Sequence, residues 1–113
     1  MLLPEAVEAL SALAHEHRLA VFRLLIRVGA GGLPAGEIAR ELDVLPNTLS
    51  SHLTILGHAG LIQSRRNGRS VIYSADYNGM RTLLGFLVAD CCDGHPEICA
   101  PLAEVAQSCC AAE

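Results

Sequence analysis

The sequence predicts a mainly α-helical fold that carries one β-hairpin. Three observations predict it. Apolar residues recur at helical spacing in five stretches between positions 4 and 92. After position 60 the period shortens to two on either side of Asn67-Gly68, the dipeptide that type I′ hairpin turns favour. Gly and Pro punctuate the boundaries. The chain has 113 residues, one domain's worth. A domain of this size buries only about two-thirds of its unfolded surface, so pairing as a homodimer would add core. The composition is 51% hydrophobic with mean hydropathy +0.37, which excludes a disordered chain. With no Trp, two Phe and two Tyr, the core must be Leu, Ala, Val and Ile.

The first predicted helix, "PEAVEALSALAH", starts at Pro4, with Val7, Leu10, Leu13 and Ala14 at helical spacing. The second, "EHRLAVFRLLIRVG", turns Leu19, Phe22, Leu25 and Ile26 to one side and Arg18, Arg23 and Arg27 to the other. Gly29, Gly31 and Gly32 stop it. A short third helix, "PAGEIARELDV", directs Ile38, Ala39 and Leu42 inward. After a tight connection, Pro46 opens the fourth, "PNTLSSHLTILGHAG", with Leu49, Leu53 and Leu56 at i, i+4 and i+7. The runs "LIQSRR" and "RSVIYS" form the hairpin. A fifth helix covers "YNGMRTLLGFLVADCC", and Gly94 and Pro96 break it. The tail, "APLAEVAQSCCAAE", reads as one more short helix or as loose chain.

Two short helices with a three-residue connection, then a hairpin, make a winged helix-turn-helix. The fourth helix presents Asn47, Thr48, Ser50, Ser51, His52 and Thr54 away from its leucines. These are small hydrogen-bonding groups without negative charge, as a helix entering the major groove requires. An ordinary solvated face would carry Glu and Lys instead. Arg65, Arg66 and Arg69 tip the hairpin and suit phosphate or minor-groove contact; the alternative is a merely solubilising turn. The net charge of -4 hides a pattern. Residues 1–43 carry -2, residues 44–75 carry +3 with no acid at all, and residues 76–113 carry -5. Anionic partners respond to such a local field, not to the total. The expected DNA-binding residues are therefore Asn47, Thr48, Ser50, Ser51, His52, Arg65, Arg66 and Arg69, and the expected partner is double-stranded DNA.

No catalytic triad, carboxylate pair or phosphate-cradling loop is recognisable, so an enzyme is not expected. No apolar run approaches the roughly 20 residues a bilayer requires, and "MLLPEAVEAL" lacks a basic leader, so no membrane partner and a cytoplasmic location are expected.

All five cysteines, Cys91, Cys92, Cys99, Cys109 and Cys110, lie in the last 23 residues. In a reducing compartment clustered thiols serve metal or redox chemistry more often than disulfides, and the odd count opposes a closed framework. The division expected is 1–90 for DNA binding and dimerisation and 91–113 for a cysteine-rich sensory segment.

The stretches "LAHEHRLAVFRLL", "EIARELDV", "NTLSSHLTILGHAGLI" and "RRNGRSVIYSA" resemble the ArsR/SmtB family of bacterial metal- and metalloid-responsive repressors. The resemblance covers residues 10–88 and rests most on Ser50 to Leu56 (Ser-x-His-Leu-x-x-Leu) with the following Ala-Gly-Leu-Ile. It implies a homodimer joined by the first and fifth helices, a palindromic operator and ligand-driven release. The chain departs from the family where inducers usually bind. The third helix has no Cys-x-Cys box, and the fifth has Asp76 and Asp90 but no His.

The sensory site is therefore expected at the C-terminal end. Thiolates select soft ions, and Cys91, Cys92 and Cys99 offer the three sulfurs that a pyramidal As(III) or Sb(III) takes. Gly94 and Pro96 would unwind the helix and let the chain return. The arrangement also resembles an arsenite-responsive subgroup with thiols after the last long helix. Cys109 and Cys110 complete the site, bind separately or relay the ion. Redox or reactive-sulfur sensing by the same thiols is the alternative function, and a protein-interaction module that has lost DNA binding is a third. His95 reads as a turn residue or an extra ligand. His15, His17 and His58 read as surface or boundary residues.

Overall fold

The computed structural model describes residues 1–88. Its elements are α1 (Leu3–Leu13), α2 (Glu16–Val28), β1 (Leu33–Pro34), α3 (Ala35–Leu42), α4 (Pro46–His58), β2 (Ile62–Asn67), β3 (Ser70–Ala75) and α5 (Tyr77–Leu87). The mainly helical winged helix-turn-helix is thus the observed architecture. The chain divides into a unit Met1–Leu83 and a second that begins at Leu84, inside α5.

Within the first unit, α2 packs against α1, α3, α4 and β3. The largest fully buried side chains are Leu25, Ile38, Leu49, Leu56, Leu61 and Val21. The expected inward leucines of α4 are all buried. The expected face of α2 is shifted. Val21, Phe22, Leu24 and Leu25 are buried, Ile26 is half-buried and Leu19 is exposed, because this helix is enclosed by neighbours along a different arc. In α1 the buried residues are Ala6, Ala9 and Ala12, which let the helix lie close to α2 and α4. Val7 and Leu10 are exposed.

The turn between α3 and α4 runs through Asp43, the one described non-glycine residue with positive φ (53°), and Val44 N–H closes it by donating to Ala39 O at 3.1 Å. An Asp tolerates the left-handed region better than most residues.

The sheet has the order β1-β3-β2, all antiparallel. The two-residue β1 was not expected; Leu33 and Pro34 pair with Tyr73 and Ile72. Gly32 makes this approach possible. Its φ is +70°, and a Cβ there would collide with the Tyr73 carbonyl. The hairpin is present, but its turn sits one residue later than expected. Asn67 still pairs with Ser70, so Gly68 and Arg69 are the central residues. Gly68 has φ +66° and Arg69 does not have positive φ. That pattern, with Gly first, is type II′ instead of I′.

Asp76 caps α5, its Oδ1 accepting from Gly79 N–H at 3.1 Å. Its own N–H donates to Leu61 O at 2.9 Å, joining this corner to the end of α4.

Candidate nucleic-acid interface

The candidate interface is built from α4 and the β2–β3 hairpin, which span the acid-free stretch 44–75. Pro46 takes the first helical position, where a missing N–H costs nothing. The N-cap is Leu45, so no side chain occupies the N–H groups of the first turn. Unfilled donors at a helix start suit a phosphate. Asn47, Thr48, Ser50, Ser51 and Thr54 are exposed, while Leu49, Leu53 and Leu56 anchor the opposite face. The Thr54 hydroxyl donates to Ser50 O at 3.0 Å and is thereby turned onto its own helix.

Two expected contact residues sit differently. His52 is not on the open face: it is 7% exposed, within the buried stripe of α4. Its position at i+3 from Leu49 puts it on the leucine side, so its polar type does not decide its placement. Arg65 is exposed, but its guanidinium donates to Ala30 O at 3.2 Å and to Gly31 O at 2.8 Å. It braces the middle of the hairpin, where Arg65 pairs with Ile72, against the loop after α2. Arg66 and Arg69 stand at the exposed tip, and neither has a side-chain hydrogen bond or ion pair among the described residues. The structure thus brings Asn47, Thr48, Ser50 and Ser51 together on α4, with Arg66 and Arg69 on the hairpin.

His52 meets His15 and His17, which the sequence predicts as surface or boundary residues. His15 is the N-cap of α2, with Nδ1 accepting from His17 N–H at 3.1 Å. Ring centroids lie 4.6 Å apart for His15–His52, 5.6 Å for His17–His52 and 5.5 Å for His15–His17. Neither nitrogen of His52 has a hydrogen-bond partner among the described residues. Such a buried polar group ordinarily costs about 1–3 kcal/mol. Burial pushes the His52 imidazole below its ordinary value, and the charges of His15, Arg18 and His17 push it the same way. The His-x-His spacing at a helix start was the available signal; its third member, 35 residues beyond His17, was not readable without the fold.

Cys91, Cys92, Cys99, Cys109 and Cys110, the expected metalloid site, lie outside the described residues. Asp76, expected on a fifth helix lacking His, is the cap of α5. No helix among the described residues is long and apolar enough to cross a membrane.

The helix-turn-helix domain family matches residues 13–65. The biofilm growth-associated repressor of Agrobacterium fabrum is 31% identical over 88 residues, covering 78% of this chain and 73% of that protein. A homodimeric winged helix-turn-helix domain from Mycobacterium bovis, a possible ArsR-family transcriptional regulator, is 28% identical. It matches with a TM-score of 0.64 over 79% of this chain and 82% of that one. Reduced HlyU from Vibrio cholerae is 27% identical, with a TM-score of 0.59 over 79% of this chain and 90% of that one. The acid-free helix and arginine-tipped hairpin therefore stand on a scaffold shared with known regulators, and the chain belongs to the ArsR-like helix-turn-helix transcriptional regulators.

Proposed function

We propose that the chain is a repressor that binds double-stranded operator DNA as a homodimer and lets go when its C-terminal thiolates capture As(III) or Sb(III). The observation that carries the DNA part is the pairing of an acid-free, open-faced α4 with the Arg66–Arg69 hairpin tip. Phosphate contacts by arginine set position and affinity, while Asn47, Ser50 and Ser51 offer modest base contacts. No Arg lies on α4, so strong bidentate guanine recognition from that helix is not expected.

The homodimer is supported by an exposed apolar stripe on α1. Leu3, Val7 and Leu10, at i, i+4 and i+7, are 65%, 57% and 42% exposed. On α5, Leu84 and Leu87 are also exposed. Faces like these on a small domain suit an interface between copies.

The inducer reading rests on donor chemistry. Cys91, Cys92 and Cys99 are soft donors, three in number, with Cys109 and Cys110 as further candidates. Capturing a metalloid would draw the three thiolates together on one ion and shift the population toward dimers whose recognition helices no longer match the half-site spacing. A coupling of about 1–3 kcal/mol is sufficient.

A gel-shift titration on upstream DNA, with and without arsenite, tests this. The expected result is salt-dependent binding that arsenite weakens and a dithiol chelator restores. Normal arsenite release by Cys91→Ser, Cys92→Ser and Cys99→Ser variants would overturn the site.

A second reading, release by thiol oxidation or persulfide, is favoured by one observation: a structural relative is described in a reduced form, and this chain carries five cysteines. Anaerobic arsenite against oxidant, on the same operator, separates the two.

A further inference from the structure

Three imidazoles, from two different elements, converge at a place apart from the exposed DNA-contact residues of α4 and the hairpin tip. We propose that His15, His17 and His52 form a binding site for a borderline divalent transition-metal ion of the Zn(II) class. One ligating nitrogen from each lies within 4.8 Å of the others. Tetrahedral Zn(II) with bonds near 2.0–2.1 Å needs nitrogens about 3.3 Å apart, so the gap to close is about 1.5 Å. His15 and His17 are exposed and free to rotate by that much, while His52 is held by the core.

The second, independent observation is His52 itself. A ring more than nine-tenths buried, with neither nitrogen having a hydrogen-bond partner among the described residues, sits against the two other donors. Buried polar atoms are ordinarily satisfied, and a coordinated ion would satisfy one of the two ring nitrogens, leaving the other as an N–H. Three neutral imidazoles suit Zn(II), Cu(II) or Ni(II) over Ca(II) or Mg(II), which prefer oxygen. Three protein ligands also leave a fourth position for water. The opposing charge is Arg18. Its guanidinium is drawn toward Ala12 O (2.6 Å) and Ser11 O (3.5 Å), carbonyls that offset part of its field.

The site has a structural consequence. His15 Nδ1 now caps His17 N–H. Coordination through Nδ1 takes that lone pair. Coordination through Nε2 moves the ring proton to Nδ1, which then cannot accept. Either way the ion replaces the cap and links the start of α2 to α4, the candidate recognition helix.

The proposal does not depend on the operator or on arsenite, and its test uses neither. The probe is Zn(II), titrated into the full chain with all five cysteines changed to Ser, so that thiolates cannot compete. Calorimetry gives stoichiometry, and nitrogen NMR of the histidine side chains reports the ligands. The expected result is one ion per chain, shifts confined to the rings of His15, His17 and His52, and a shift of the His17 amide. His15→Ala and His17→Ala, at exposed positions, should each weaken binding by about tenfold or more, with unchanged circular dichroism. Zn(II) affinity unaltered in the His15→Ala/His17→Ala double variant, or ring signals that do not move, overturns the site.

Discussion

The rings of His15, at the start of α2, and His52, on the buried face of α4, lie 4.6 Å apart and tilted by 46°. Burial comes first among the causes that hold His52 below its ordinary pKa, followed by the charges of His15, Arg18 and His17. In the unfolded chain a histidine titrates near 6.5. Between the folded value and about 6.5, the unfolded chain binds a proton that the folded chain refuses, so stability falls as pH falls. The neutral-ring contribution is full above about pH 6.5 and is lost as the pH drops through the folded value. Urea midpoints of metal-free protein, measured with a chelator from about pH 7.5 down to 5, should decline by more in the parent than in His52→Leu. Parallel declines would show that His52 is not the group responsible.

A second prediction concerns Gly79. In an exposed helix, Gly→Ala ordinarily stabilises by about 1 kcal/mol. Here the sign reverses. A Cβ on Gly79 would run into the Gly60 carbonyl, a backbone group that cannot swing aside. The start of α5 must then move off the turn after α4, straining the Asp76–Gly79 cap as well. Gly79→Ala should destabilise by about 1–3 kcal/mol, read by urea denaturation. Gly85→Ala, where a Cβ meets nothing within 4 Å among the described residues, should be neutral or stabilising. Equal effects at the two positions would contradict the close approach.

The three hairpin arginines should separate in their effects. Arg66→Ala and Arg69→Ala should weaken DNA binding of any sequence and lower the salt slope by about 1 each, with stability unchanged. Arg65→Ala removes the hydrogen bonds to Ala30 O and Gly31 O and should cost about 1 kcal/mol or more of folding stability. Affinity against salt concentration and a melt of each variant check this. A salt slope unaltered in the Arg66→Ala/Arg69→Ala double variant would remove the hairpin from the interface.

Much of this fold was legible in the sequence because its signals are local. Leu49, Leu53 and Leu56 declared the buried side of α4, and Asn67-Gly68 declared the hairpin. What escaped depends on partners distant in the chain. The inward side of α1 could not be read from hydrophobicity, since Ala6, Ala9 and Ala12 face the core while larger Val7 and Leu10 stay outside. The two-residue β1 exists only because β3 supplies its partner, with Gly32 allowing the approach. His52 looked like a polar face residue until its position beside Leu49 and Leu53 buried it against His15 and His17. In each case residue type misled where packing decided.

That inversion on α1 leads to the last prediction. A helix that buries three alanines and exposes Leu3, Val7 and Leu10 keeps its larger apolar groups for another surface. If a second copy covers them, charge on the stripe should separate the copies without unfolding either, because these side chains contribute little to the core of their own chain. Val7→Glu combined with Leu10→Glu should give a monomer by light scattering while helix content by circular dichroism is retained. Operator affinity should fall by about 10²-fold or more, since each half-site would then be bound without the avidity of its neighbour. Glu8→Ala, on the same helix but exposed and polar, should leave the mass and the affinity unchanged. A double Glu variant that remains dimeric and keeps its operator affinity would place the interface elsewhere on the molecule.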